Sequence, residues 1–466
     1  MANQFSYRIR TLTVKRNELT PGILAEEYER RRALLMQQLP ERSMVVSLAG
    51  QVKYLSGEIF YKFRQASDFW YLTGFEEPES AIILEKTSDS KGYRMTMFSQ
   101  GKDAAKEKWE GARADLNHLG SIFGADDARP IEQFPSHLKS ISSAYSNIYL
   151  DIPSTSSKRG KPKFLQKYLT HMSGRSSGSE SILDSLADSK RQCLAPEIAK
   201  LRIIKSEAEQ RVMRAAADIS ARAHTKTMRF THPGLSESAL AAHFEYICGL
   251  SGAQRMAYVP VVASGPNALV IHYTSNNHLV RDGELVLMDA GCEYNGYASD
   301  ITRTYPVNGV YSPPQRDLYA AVLSAQKACM ALCTQSNGLS LNDIHRQSCE
   351  LLRQELNQIG FSLSSGEVEH ILYPHYLSHP IGIDLHESTY FDRSNRLVEG
   401  MVVTIEPGIY VPPSSSYPHH FHNIGIRIED EVLVGKNHPT ILSVNAPKEI
   451  VDVEAACQGS LGLEPY

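Results

Sequence analysis

The stretch VLMDAGCEYNGYASDITRTYPV, residues 286–307, decides how the chain is read. Asp289 closes an apolar run of strand character, and Asp300 follows 11 positions later, beyond a turn at Asn295-Gly296. One continuous strand would hold the two carboxylates tens of ångströms apart, whereas two returning strands bring them together. Carboxylates held that close repel each other and need compensation, most simply from a pair of divalent cations.

Three segments downstream offer further groups of the same kind. HYLSHPIGIDLHES (375–388) supplies His375, His379 and His386, and imidazole beside an apolar, glycine-bearing segment can ligate a metal or move a proton near neutral pH. TIEPGIY (404–410) places Glu406 directly after an apolar run. In GIRIEDEV (425–432), read as one strand, alternation puts Arg427 and Glu429 on one face and Asp430 on the other, so Glu429 is the inward candidate. Taken singly, each residue is more often a cap, a turn or a solvated side chain. As a set, two Asp, at least one His and two Glu on apolar strand segments match the ligand count of two adjacent metal ions.

The rest of the chain is consistent with an enzyme of ordinary composition. Its 466 residues exceed a single typical domain, and 42% hydrophobic with 21% charged residues is a globular balance. With 48 basic against 52 acidic side chains, no global field recruits nucleic acid or an anionic membrane. No apolar run reaches the roughly 18 residues of a membrane span, and no signal-peptide core follows the N-terminus. Cys193, Cys248, Cys292, Cys329, Cys333, Cys349 and Cys457 form no CxxC pair, which predicts reduced thiols and an intracellular setting. Residues 1–16 carry Arg8, Arg10, Lys15 and Arg16 without an acid, a composition shared by mitochondrial presequence remnants and by ordinary basic termini.

Local patterning predicts two domains. LAEEYERRRALLMQQL (24–39), between Pro21-Gly22 and Pro40, reads as a capped amphipathic helix, with short strands at 44–49, 81–84, 93–98 and around 148–150. This is a small α/β domain over 20–195 behind a basic extension at 1–19, with serine- and glycine-rich surface loops at 154–163 and 173–181. The catalytic domain is expected over 196–455, with 456–466 as a tail. It contains helices at 204–228 (with a Ser206–Glu209 capping box), from about 236, and at 315–334 and 341–360. Strands are expected at 259–263, 285–288 and across 401–434. The class is α/β (α+β), with a curved, largely antiparallel catalytic sheet covered by helices.

In order along the chain, the DAG...D, SHxxG, TIEPGIY and GIRIED signatures closely resemble the aminopeptidase P branch of the pita-bread metallopeptidases. RQASDFWYLTGFEEPES (64–80) resembles the non-catalytic N-terminal domain of those enzymes, so the likeness covers nearly the whole chain. NELTPGI (17–23) with YERRRALL (28–35) is similar to the mitochondrial aminopeptidase P and intermediate-cleaving subgroup. The resemblance implies Asp289, Asp300, His379, Glu406 and Glu429 as ligands of two divalent ions, usually manganese. It implies His272 (in HYTSNN), His375 and His386 near the scissile bond, and Arg427 and Tyr410 in the surrounding network. It further implies hydrolysis of the first peptide bond of peptides or proteins, a homodimer, and a mitochondrial location, with cytoplasm and nucleus left open. A prolidase-like dipeptidase or a non-catalytic binding protein on the same scaffold are the competing readings. FWYLTGF (69–75) is expected mainly as domain core.

Overall fold

The computed structural model describes residue 15 and residues 17–151, 190–462 and 464–465, divided between compact units at 1–202 and 203–466. The division falls after the helix Ala195–Arg202. The serine- and glycine-rich loops at 154–163 and 173–181, and residues 1–14 and 16 of the basic extension, lie outside the described residues.

In the first unit, a mixed six-stranded sheet runs in the order 191–193, 147–150, 43–48, 81–86, 93–99, 127–130. Its central strand, SMVVSL at Ser43–Leu48, is buried along its whole length, as expected of a strand covered on both faces. The helix Ala25–Gln38 lies within one residue of its expected limits at each end, but Leu24 provides no side-chain cap. Its first amide instead donates to the Asn17 carbonyl at 3.2 Å. Phe69, Trp70, Tyr71, Leu72 and Phe75 are buried, so the aromatic run is core.

The second unit is built from antiparallel pairs under helices. Strand Leu285–Asp289 is central, flanked by Val261–Ser264 and Thr302–Pro306, with Asp289 opposite Thr302. The chain between Asp289 and Thr302 forms a subsidiary hairpin, Cys292–Tyr294 with Tyr297–Ala298, turning through Asn295 and Gly296 at positive φ. Val402–Ile405 pairs with Asp430–Leu433, and Gly408–Val411 pairs with Ile424–Arg427.

The single strand expected across 425–432 is therefore two strands in different pairings, separated at Ile428 and Glu429. The helix Glu207–Phe230 begins with the predicted Ser206–Glu209 box, whose reciprocal bonds measure 3.2 and 2.9 Å. A second box, Ser312 with Gln315, starts the helix Pro313–Ala331, two residues earlier than its apolar pattern suggests because prolines suit the first helical turn. The last helix, Ile450–Gln458, buries Val453 and Ala456, so packing continues past the expected domain end at 455. All seven cysteines are free thiols, and no described helix is long and apolar enough to cross a membrane.

Candidate metal centre

Five backbone segments converge on one cavity of about 890 Å³ in the second unit. Asp289 ends the central strand, while Asp300 returns just before Thr302 with its amide held at 2.8 Å by the buried Glu431 carboxyl. Segment 377–381 runs along the strand Val402–Ile405. The Thr404 amide donates to the His379 carbonyl and the Glu406 amide to the Leu377 carbonyl, both at 2.9 Å, which sets His379 and Glu406 side by side. Glu429 occupies the gap between its two flanking strands. Its amide donates to the Thr302 carbonyl at 3.1 Å, and one carboxylate oxygen accepts from the Thr302 hydroxyl at 2.7 Å.

The functional atoms meet closely. Asp300, His379 and Glu429 each offer a ligand atom, all within 4.8 Å of one another. His379 Nε2 lies 3.3 Å from Asp300 Oδ2 and 3.9 Å from Glu406 Oε1. Asp289 is held by Arg427 Nη2 at 2.6 Å. The Tyr258 hydroxyl reaches Asp289 Oδ1 at 2.5 Å and Asp300 Oδ1 at 2.6 Å, so one proton serves both carboxylates.

Four carboxylates thus face one permanent cation, Arg427, and three of them register the imbalance, while Asp300, against the effect of burial, is drawn below its ordinary range by His379. Burial, reinforced by Asp300, Glu406 and Asp289, holds the Glu429 carboxyl well above its ordinary range. Burial pushes Glu406 up to about 7 against the pull of His379 and Arg427, and raises Asp289 despite Arg427. Among the described residues Glu429 Oε1 has no partner, although it is buried, and is an orphan acceptor of the kind a cation completes. A hard, carboxylate-rich donor set with one imidazole fits divalent metal ions.

The remaining expected residues fall in three places. His272 and His386 line the cavity with exposed side chains. The His386 ring sits 4.3 Å, centroid to centroid, from that of His379. His375 also lines the cavity, but both its nitrogens are engaged, Nδ1 with the Tyr376 carbonyl at 3.0 Å and Nε2 with the Tyr410 hydroxyl at 2.9 Å. Burial and the Arg427 charge push its pKa down to about 3, which keeps the ring neutral. Tyr410 does not line the cavity. It is buried behind His375, where it accepts from Arg427 Nη1 at 2.8 Å.

Sequence reading missed Tyr258, Thr302 and Glu431. Thr302 lies in the opening stretch and is marked only by its place opposite Asp289. Tyr258 stands outside any strand, 31 and 42 residues from its two partners, and no periodicity announces it.

Fold and site together define a hydrolase-type metal centre built from strand-borne carboxylates and a histidine. Residues 211–436 match the model of metallopeptidase family M24, and residues 28–149 match the aminopeptidase P N-terminal domain. Intermediate cleaving peptidase 55 of Saccharomyces cerevisiae is 41% identical over 466 residues, covering 99% of this chain and 90% of the relative. The crystal structure of Icp55 from that organism, with its N-terminal 58 residues deleted, superposes with a TM-score of 0.84 at 39% identity, covering 95% of this chain and 99% of that one. Xaa-Pro aminopeptidase 3 of Rattus norvegicus is 36% identical (94% and 87% covered). Intermediate cleaving peptidase 55, mitochondrial, of Arabidopsis thaliana is 38% identical (94% and 84% covered). The chain belongs to metallopeptidase family M24.

Proposed function

We propose that this chain is a mitochondrial aminopeptidase that holds two divalent ions, manganese by preference, and removes single residues from peptide and protein N-termini. The carrying observation is the convergence of Asp300, His379 and Glu429 on one point, with an unpartnered Glu429 oxygen in a cavity of peptide size. Metal-dependent hydrolysis of N-terminal peptide bonds, Xaa-Pro bonds included, follows from membership of the family and from the relatives named above. The mitochondrial location rests on the Arabidopsis relative's name and on the basic residues 8–16. The homodimer rests on family resemblance.

Asp289, Asp300, His379, Glu406 and Glu429 would hold the ions. When bound, the ions would acidify a water and polarise the scissile carbonyl. Within that frame, Glu406 moves a proton from the attacking water toward the leaving amine. His386 or His272 donates to the carbonyl oxygen as charge develops on it. Arg427, clamped between Tyr410 and Asp289, keeps the Asp289 carboxylate in place.

The test is steady-state cleavage by metal-stripped protein reloaded with manganese. One peptide carries proline second, another carries an N-terminal Tyr or Leu without that proline, and N-acetylated versions serve as controls. Cleavage confined to free N-termini is the expected outcome. Preference for the proline peptide assigns Xaa-Pro activity, and preference for the bulky residue assigns the intermediate-cleaving role. Hydrolysis of acetylated peptides at the same rate would sink the aminopeptidase reading.

A further inference from the structure

His272 has no hydrogen-bond partner among the described residues, although it faces the cavity from an irregular segment. An unsupported loop would leave such a group free to wander, which costs rate where an aligned donor is needed. The segment is not unsupported. Glu237, the first residue of the helix Glu237–Leu250, is completely buried, and its carboxylate collects five donors from positions 264–278. Oε1 accepts from the Ser264 amide at 2.8 Å, the Ser264 hydroxyl at 2.7 Å and Asn267 Nδ2 at 2.9 Å. Oε2 accepts from the Tyr273 hydroxyl at 2.9 Å and the His278 amide at 3.0 Å. The Glu237 amide returns a bond to the His278 carbonyl at 2.9 Å.

These donors bracket His272 on both sides in sequence. Burial alone would raise the Glu237 carboxyl, yet the bonds from Ser264, Asn267 and His278 outweigh it and hold the group ionised. Apolar packing sets the direction of the loop. Leu269, Ile271 and Tyr273 pack against the cluster of Val261, Leu287 and Tyr410, while Val270 and His272 between them are exposed. On the far side, a Cβ at Gly425 would come 2.5 Å from the Ala268 carbonyl oxygen, so the loop lies directly on the strand that carries Arg427.

We infer that Glu237 is a positioning residue for His272: by gathering five donors from residues 264–278, its carboxylate fixes where that imidazole meets the substrate. The inference rests on the peptidase reading of the cavity and on His272 facing the substrate. Glutamine cannot replace the carboxylate, because its amide nitrogen would confront donors that it cannot accept from.

The experiment is a double-mutant cycle on the full, manganese-loaded chain with an Xaa-Pro peptide. It compares wild type, Glu237→Gln, His272→Ala and the double variant by kcat, KM and bound metal, with amide hydrogen exchange followed over 264–278. Glu237→Gln is expected to lower kcat/KM about tenfold, mainly through kcat, with metal content unchanged. In the His272→Ala background the same change should cost less than about twofold. Exchange should quicken across 265–278 and stay unchanged across 285–306. Should Glu237→Gln fold poorly, Tyr273→Phe removes one donor and should give a smaller loss that likewise vanishes without His272. An equal cost in both backgrounds, a loss of metal in step with activity, or a silent His272→Ala would overturn the inference. If wild type cleaves no peptide, the proposed function falls instead, and unaltered exchange in Glu237→Gln would then overturn the clamp on its own.

Discussion

Glu429 and Asp430 are neighbours in sequence, both fully buried, yet their carboxyls are driven in opposite directions. Glu429 turns toward Asp289, Asp300 and Glu406 and is held well above the ordinary range by burial and those charges. Asp430 turns the other way, where Arg303 Nη2 meets it at 2.8 Å, Lys448 Nζ and Ser443 Oγ at 2.6 Å, and Gln326 Nε2 at 2.7 Å. Burial acts on Asp430 too, but Arg303 and Lys448 overcome it and bring the group down to about 2. Burial therefore does not decide the charge state; the supply of cations does. One cluster neutralises itself from within the chain, while the other sets four carboxylates against Arg427 alone, an imbalance that a divalent cation would offset. The two are joined, since Arg303 Nη1 donates to the Glu429 carbonyl at 2.5 Å.

The largest effect is expected from Asp300→Asn, which removes charge from the unneutralised cluster. Bound manganese should fall and peptide turnover should drop to background, measured by metal analysis after desalting and by cleavage assays. Full metal content with normal turnover would break the comparison at its first step, because the acidic cluster would then not be a metal site.

Next comes Asp430→Asn, which strands Arg303 and Lys448 in the interior. Breaking a buried ion pair from one side costs about 3–5 kcal/mol, to be read from urea unfolding of the metal-free chain. A wild-type midpoint in this variant would mean that Asp430 is not the neutralised member of the pair.

Much of this contrast was legible before any coordinates. Alternation sends Glu429 inward and Asp430 away, and the structure agrees on the parity although not on the premise. The chain breaks its strand at Ile428 and Glu429, so Glu429 is aimed by its bonds to Thr302 and not by a ladder of its own. The hairpin returning Asp300 to Asp289 and the Ser206–Glu209 box were readable because turn and cap chemistry are local. The partners of Asp430 were not, because Arg303, Gln326 and the Ser443–Lys448 loop come from three segments that only the tertiary fold assembles. His375 was found by motif, but its engagement with Tyr376 and Tyr410 depends on geometry that no spacing encodes.

The pH dependence gives a smaller effect with a fixed sign. The folded-state pKa of Asp430, about 2, lies below its ordinary value of 3.8. The stability it contributes is therefore present above about pH 4 and is lost as pH falls toward 2, and it amounts to about 2 kcal/mol. The difference in unfolding free energy between wild type and Asp430→Asn should shrink over that window. A difference that stays constant from pH 6 to pH 3 would show that Arg303 and Lys448 do not depress Asp430.

The smallest effect sharpens the acidic side of the comparison. Among the described residues, Tyr258 is the one neutral donor shared by Asp289 and Asp300, and burial followed by the charges of Asp289 and Asp300 holds its hydroxyl well above its ordinary range, so it stays protonated. Tyr258→Phe leaves both carboxylates in place and removes only the hydroxyl that bridges them. Because Arg427 still holds Asp289 and His379 still faces Asp300, manganese affinity should weaken only about tenfold, read by metal titration. The pH profile of cleavage at saturating metal should keep its shape, since a hydroxyl that never ionises contributes no limb to it. A lost or shifted limb in Tyr258→Phe would mean that this proton moves during turnover, and the tyrosine would then belong to the chemistry and not to the scaffold that spaces the two aspartates.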